Sequence, residues 1–413
     1  MKFAHLADVH IGSWRDPLLR DMSTDAFLMA MDRCVELKVD FILISGDLFH
    51  TSMPRIDNLK QVVRKLREIR LKGIPIYFIA GSHDFSPTGK TMLDVLEEAD
   101  LGKNVVQGDV REGKLFLRFT IDEKTGAKIA GMVGKRGMLD RKYYEFLDRK
   151  SLEQEEGFKI FMFHTAITEM KPKELEKMES SGVSLLPAGF DYYAGGHVHI
   201  VERGNFENRK NVVFPGPLFP NNFSELEKLK QGGFYIYDEG NVVYHPLVLK
   251  EVELVEVNAD HRLPEEVSQE VFSIASRENV SDKIILLRIA GRMQRGKSSD
   301  IAFRKINETF IDNGAYCVLK SISKLKSEEF EEIKVSQSTA EELEQELIQE
   351  HLGQIKISFS SREEDLIRKL MDVFSVEKEE GQKVYEYESS IKKDAETLFS
   401  ELIEDLKEED LKD

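Results

Sequence analysis

The sequence predicts an α/β layered body followed by a small α/β cap and an acidic helical tail. Three observations lead there. Short apolar runs of strand length alternate with amphipathic helical stretches. Short motifs rich in histidine and aspartate follow the ends of several of those runs, and the negative charge is concentrated near the C-terminus.

Taken in order, residues 2–7, 41–45, 75–80 and 159–163 are near-continuous apolar runs, as strands of a buried, largely parallel sheet would be. Residues 22–37 place Phe27, Met31, Cys34 and Val35 on one helical face, and residues 56–70 do the same with Leu59, Val62, Val63, Leu66 and Ile69. Later strands between 232 and 256 are joined at Asp238-Glu239-Gly240, which reads as a hairpin closing a domain over residues 1–256. Helix 263–277, strand 283–290, helix 299–312 and strand 315–321 make a compact α/β cap over 262–322. Residues 323–340 are polar and mixed and read as a linker. The segment 341–413 carries two helical patterns, one with Leu366, Ile367, Leu370, Met371 and Phe374, the other with Leu398, Phe399, Leu402, Ile403 and Leu406.

Composition excludes several classes. The chain has 413 residues, 41% of them hydrophobic, which is too apolar for a wholly disordered chain and long enough for two or three domains. Two cysteines, Cys34 and Cys317, exclude a disulfide scaffold and suit a reducing cytoplasm. The N-terminus reaches Asp8 too early for a signal peptide, and no apolar run reaches the roughly 18 residues that would span a bilayer. A soluble cytoplasmic protein is expected. The net charge is −17, but residues 328–413 hold 27 acidic and 11 basic side chains, leaving the rest of the chain at −1. The acidity belongs to the tail, and the body is free to carry basic patches for nucleic acid.

The chemistry is carried by Asp8-Val9-His10, Gly46-Asp47-Leu48-Phe49-His50, Gly81-Ser82-His83-Asp84, a lone His164 ending its strand, and Gly196-His197-Val198-His199. Six of the ten histidines fall in this set. Loops at the carboxyl ends of strands converge, so side chains there can share one site. Any one motif alone is most simply a capped turn or a satisfied polar group. Five in order, each after an apolar strand, point instead to a metal site. Imidazoles mixed with carboxylates suit Mn, Fe, Zn or Ni better than Mg or Ca. Two metals clamp the attacking and leaving oxygens of a phosphoester displacement, and Asp47 is the natural bridge between them. His5 alternates with apolar neighbours and reads as structural.

These residues resemble the calcineurin-like metallophosphoesterase superfamily over residues 1 to about 250, which implies a layered sandwich of sheets flanked by helices. MKFAHLADVHIG and GDLFH together resemble a narrower family, the meiotic-recombination-eleven nucleases of DNA double-strand-break repair, with their bacterial SbcD counterparts. The resemblance implies two Mn²⁺ ions, one held by Asp8, His10, Asp47 and His199, the other by Asp47, Ser82, His164 and His197. It implies His83 near the leaving oxygen, oriented by Asp84, with His50 beside the phosphate. Ser82 departs from the family's asparagine. The implied partners are double-stranded DNA ends, a second copy of the chain, and an SMC-like coiled-coil ABC ATPase docking on 341–413. The implied activity is exo- and endonucleolytic processing of DNA ends. A phosphatase or small-molecule phosphodiesterase on the same fold, and a non-catalytic scaffold with a weakened metal site, are the alternatives.

For nucleic acid, Arg292, Arg295 and Lys297 lie on a glycine-flanked stretch of the cap beside Arg288, and Arg136 and Arg141 lie in a basic stretch with interleaved tyrosines. Residues 60–72 are also basic but read as a solvated helix face.

Overall fold

The structure, a computed structural model, describes residues 1–86, 88–135, 139–277, 279–328 and, in the tail, 369–370, 373–374, 376 and 384–409. In chain order the body holds β1 (Lys2–Leu6), α1 (Met22–Glu36), β2 (Phe41–Ser45), α2 (Ile56–Leu71), β3 (Ile76–Ile79), α3 (Met92–Glu98) and β4 (Lys103–Asn104). It continues with β5 (Gly108–Arg111), β6 (Lys114–Leu117), β7 (Thr120–Ile121), β8 (Lys128–Gly131), α4 (Arg141–Glu145), α5 (Arg149–Glu153) and β9 (Lys159–His164). Then come β10 (Tyr192–Gly196), β11 (Glu202–Phe206), β12 (Arg209–Phe214), α6 (Phe223–Leu229), β13 (Gly232–Asp238) and β14 (Asn241–Leu247). The cap holds β15 (Val252–Asn258), α7 (Pro264–Arg277), β16 (Ile284–Met293), α8 (Phe303–Asp312), β17 (Cys317–Ser321) and β18 (Leu325–Ser327), and the tail holds α9 (Val384–Glu409).

The apolar runs build two sheets, the layered sandwich that the resemblance implies. The first has the order β14-β13-β1-β2-β3-β4 and the second β11-β12-β10-β9-β8-β7. In each, four strands run parallel, β1 to β4 in the first and β8, β9, β10 and β12 in the second. Antiparallel strands complete both. The two sheets stack through Phe3, Phe41, Leu43 and Tyr77 of one and Ile129, Ile160, Met162 and Tyr192 of the other. Phe3 sits at its centre, stacked on Phe41 at 4.9 Å and on Tyr237 at 4.7 Å. The outer face of the first sheet is covered by Phe27, Met31 and Cys34 of α1 and Val62, Leu66 and Ile69 of α2, the faces read from the sequence. Tyr144, Leu152 and Phe190 cover the second. Both faces of every central strand are therefore buried, which is why these strands are apolar without alternation.

The hairpin at Asp238–Gly240 is present, with Asp238 opposite Asn241. Two expectations are corrected. A body ending at 256 cuts through β15, which pairs in parallel with β16 along its whole length and so belongs to the cap sheet. The linker expected over 323–340 does not begin at 323, because Leu325–Ser327 pair with Gly291–Met293, and from 329 it lies outside the described residues. The cap buries one sheet face under α7 and α8, with Val267, Val271, Ile306 and Phe310 at its core. On the other face Ile284, Leu286 and Cys317 join the core of the body. The buried cysteines are free thiols.

In the tail, α9 covers the second helical pattern read from the sequence, while of the first only Leu370 and Phe374 fall within the described residues. Phe374 and Phe399 are exposed, and Tyr387 donates its hydroxyl to the carbonyl of Val376 at 2.7 Å. Among the described residues no helix is long and apolar enough to cross a membrane.

Candidate metal centre

Five parallel strands end at one place. β1 leads to Asp8 and His10, β2 to Gly46 and Asp47, β3 to Gly81–Asp84, β9 ends on His164, and β10 leads to His197 and His199. Leaving a strand this abruptly needs unusual backbone. Asp8, His10, Asp47 and His197 hold φ of 49°, 47°, 52° and 91°, the left-handed region that side chains disfavour. Such strain persists only where surrounding structure over-determines it, and it clusters at functional sites. Glycine makes room for the cluster at two points. A Cβ on Gly46 would lie 2.2 Å from His164 Nδ1, and one on Gly81 would lie 2.3 Å from Asp47 Oδ1.

Asp47 is at the centre. His164 Nε2 lies 3.2 Å from its Oδ2, His10 Nε2 lies 3.6 Å from the same oxygen, and the His83 backbone N–H donates to its Oδ1 at 2.7 Å. Asp8 accepts the backbone N–H of His197 at 2.9 Å, with His199 Nε2 3.9 Å and His164 Nδ1 4.0 Å away. His10 and His199 bring their Nε2 atoms to 3.1 Å. Asp8, Asp47 and His164 group their ligand atoms closely enough for one ion, as do Asp8, His10 and His199, and also His10, His50 and His83.

The outer bonds fix which nitrogen faces inward. His164 Nδ1 meets the carbonyl oxygen of Ser45 at 2.8 Å, and His199 Nδ1 meets Glu225 Oε1 at 3.0 Å. Neither oxygen can donate, so each Nδ1 carries the proton and each Nε2 turns a lone pair toward carboxylate oxygens. Acceptors facing acceptors in a buried site need a cation between them. Electrostatics says the same with protons alone. Burial pushes His164 down, but the Asp47 and Asp8 carboxylates outweigh it and raise the ring to about 10. His199 rises to about 9 against its burial, through Glu225 and Asp8. Burial raises Asp47, yet His164 and His10 together hold it below the ordinary carboxylate range. Burial lowers His197 to about 4, keeping its ring neutral as a ligand must be. The residues fit divalent cations.

Residues 1–201 match the family described as calcineurin-like phosphoesterase, a span that contains every one of these motifs. Curated relatives include the DNA double-strand break repair protein Mre11 of Archaeoglobus fulgidus, 27% identical over 55% of this chain and 52% of that one. Those of Methanopyrus kandleri (27%; 66% and 62%) and Methanocaldococcus jannaschii (26%; 75% and 78%) are also similar. The match thus spans little more than half the length of the first relative.

Around this centre, the remaining candidates fall as follows. His83 and His50 stack, ring centroids 5.1 Å apart, with His50 5.5 Å from His10. Ser82 Oγ lies 3.4 Å from Asp47 Oδ2. The His197 ring packs beside His164, centroids 5.2 Å apart. The expected orienting contact from Asp84 to His83 is corrected. His83 Nδ1 meets the backbone carbonyl of His50 at 2.8 Å. Asp84 instead accepts the backbone N–H groups of Gly81 and Asp47, both at 2.9 Å, and of Phe49 at 3.3 Å. It ties the β2 and β3 loops together, and burial with the nearby Asp47 charge raises it to about 7.

Of the expected nucleic-acid contacts, Arg292, Arg295 and Lys297 are exposed on the cap. Arg292 is on β16 and not in a turn, since the strand runs through Met293. Arg141 pairs with Glu145 at 3.5 Å, and Arg136 lies outside the described residues. Arg288 makes a two-pronged pair with Glu227 of α6, both bonds 2.6 Å, and clamps the cap to the body.

Glu225 was missed by sequence reasoning. Besides His199 it accepts the backbone N–H of Asn221 at 2.8 Å, and its own N–H donates to the Asn222 side chain at 3.0 Å. The signal was available: Asn222-x-x-Glu225 is a helix-start spacing that brings a carboxylate back to the first turn.

Proposed function

We propose that the protein is a metal-dependent phosphodiesterase acting on DNA, a nuclease that processes ends in double-strand-break repair. The observation that carries it is the convergence of Asp8, His10, Asp47, His164 and His199 with their inner lone pairs facing shared carboxylates. The repair proteins similar to this chain support DNA as the substrate. Two divalent ions per chain suit this mixture of imidazole and carboxylate, and manganese is the metal that the family resemblance implies. Bound there, they would supply charge against the developing phosphorane oxygens and a water acidic enough to attack.

The chain's own residues do the rest. Asp47 offers both carboxylate oxygens to the interior, and its hold on the His83 N–H fixes the loop. Ser45 and Glu225 lock His164 and His199 with Nε2 inward. His83, anchored at Nδ1 on the His50 carbonyl, has Nε2 left as the position from which its imidazolium form gives a proton to the leaving oxygen. The His50 ring, stacked on His83, lies beside the phosphate. Arg292, Arg295 and Lys297, with Arg136 and Arg141, would meet the DNA backbone. The acidic 341–413 segment would dock on a coiled-coil ABC ATPase, and a second copy of the chain would complete a homodimer.

The test is cleavage of end-labelled double-stranded DNA against manganese concentration, with Asp47→Asn beside the parent. Asn keeps an acceptor for the His83 N–H but removes the charge between the histidines. Parent cleavage that depends on manganese and vanishes in Asp47→Asn is expected. Cleavage by Asp47→Asn at the parent's rate overturns the metal reading.

A further inference from the structure

Helix α6 is about two turns long and is held from both sides. Glu225 and Glu227 lie two positions apart, so at about 100° per residue their side chains leave nearly opposite faces. One face meets the metal centre. There Glu225 Oε1 lies 3.0 Å from His199 Nδ1, and Oε2 accepts the Asn221 N–H at 2.8 Å. The other face meets the cap. Arg288 of β16 donates from Nε and Nη2 to the two oxygens of Glu227, both at 2.6 Å. The same guanidinium lies over the Phe223 ring, 5.2 Å from its centroid. Phe223 and Glu227 are four positions apart and share this face, so one arginine fixes both turns. The pair is mostly shielded from water, its side chains 16% and 20% exposed, and a two-pronged pair there defines direction as well as distance. Leu226, between the two glutamates, is fully buried in the core of the body.

A helix of seven residues does not hold its own place, and its position comes from what it touches. Turning α6 about its axis moves Glu225 and Glu227 together. A displacement of about 0.5 Å at Glu225 takes its bond to His199 to the end of the useful range. We propose that Arg288 is a positioning residue for the metal centre, acting from the cap through α6 on Glu225 and so on His199. Arg288 touches neither the ligand atoms nor a substrate. It orients the helix whose carboxylate orients the ligand. The inference rests on the metal-dependent reading and adds that the cap sets the affinity of the ion that Asp8, His10 and His199 can hold. Lysine cannot replace this arginine, because a point charge makes neither the fork nor the stack on Phe223.

The experiment titrates the metal-free, full-length protein with manganese in a calorimeter. Thermal melts confirm that each variant is folded. Arg288→Met should weaken one of the parent's ions about tenfold, the order of loss when the partner behind a ligand is disturbed. Glu227→Gln keeps the shape of the pair and removes its charge. It should shift the same ion in the same direction, and it carries the test if Arg288→Met does not fold. In a Glu225→Ala background, adding Arg288→Met should weaken binding less than about twofold further, because the link to His199 is already cut. Tyr316→Phe removes a different bond between cap and body, the Tyr316 hydroxyl to the Leu18 carbonyl at 2.8 Å, and should leave manganese binding unchanged. Unchanged affinity in Arg288→Met and Glu227→Gln overturns the proposal. So does a full tenfold loss in the Glu225→Ala background, or a loss in Tyr316→Phe as large as in Arg288→Met, since either reduces Arg288 to attachment of the cap. These three outcomes leave the metal-dependent reading in place. A parent that binds no manganese overturns both.

Discussion

At the scale of single residues, the centre depends on side chains that never face its interior. Glu225 fixes the His199 tautomer through Nδ1 and is itself held by Asn221 and Asn222. Removing such a partner weakens metal affinity by about 10–100-fold while leaving every direct ligand in place. Glu225→Ala should therefore raise the manganese dissociation constant by that factor in calorimetry, and unchanged binding would show that His199 needs no partner. Ser82 offers a second residue-scale prediction. Its hydroxyl is one bond from Cβ and lies 3.4 Å from Asp47 Oδ2, whereas an asparagine carbonyl reaches one bond further. Ser82→Asn should lower the manganese concentration for half-maximal binding. Superimposable titrations of parent and variant would remove residue 82 from the set of ligands.

At the scale of elements, what matters is where strands stop. Asp84 is a single buried carboxylate bonded to three backbone N–H groups, and it joins the exits of β2 and β3 into one platform. The Arg288–Glu227 pair does similar work between β16 and α6, holding the cap against the body. The tail behaves otherwise. α9 leaves Phe399 exposed, and the chain divides at residue 330 into two units, with α9 in the second. An apolar stripe on an acidic helix suits a partner with a basic, apolar groove. Deleting residues 341–413 should leave manganese-dependent DNA cleavage intact and abolish capture of the ATPase coiled coil in a pull-down. Undiminished capture would return the tail helices to an internal role.

For the whole molecule, stability carries a pH signature from the centre of the sandwich. His5 is buried between the sheets with Nδ1 3.0 Å from the Tyr192 hydroxyl, and burial lowers it to about 3. The unfolded chain returns it to about 6.5. Its folded value is the lower one, so the folded state resists protonation. The associated stability is complete above about pH 6.5 and is lost as pH falls toward 3, at up to about 1.4 kcal/mol per pH unit. Between pH 7 and pH 5 the parent should lose about 2 kcal/mol more than His5→Asn in urea unfolding, since the metal ligands titrate in both and cancel. Parallel curves for the two proteins would show that His5 is protonated without cost.

The α/β class, the helix faces of α1 and α2, the hairpin at Asp238–Gly240 and the order of the histidine and aspartate motifs were all legible in the chain. Those features are local: strand and helix periods, turn residues and motif spacing are written within a few positions of each other. Tertiary structure decided the rest. Apolar runs do not say which strands stack face to face, so the sandwich of sheets came from the family resemblance and only the folded chain assigns each run to one of its two sheets. Nor could β15 be assigned from its own residues, because its parallel partner β16 lies across an intervening helix. Asp84 and Glu225 show the same limit at the site. A carboxylate reads alike in sequence whether it orients a histidine or bonds backbone N–H groups, and only the folded chain, by bringing Asp47 and Phe49 to one and His199 to the other, settles which.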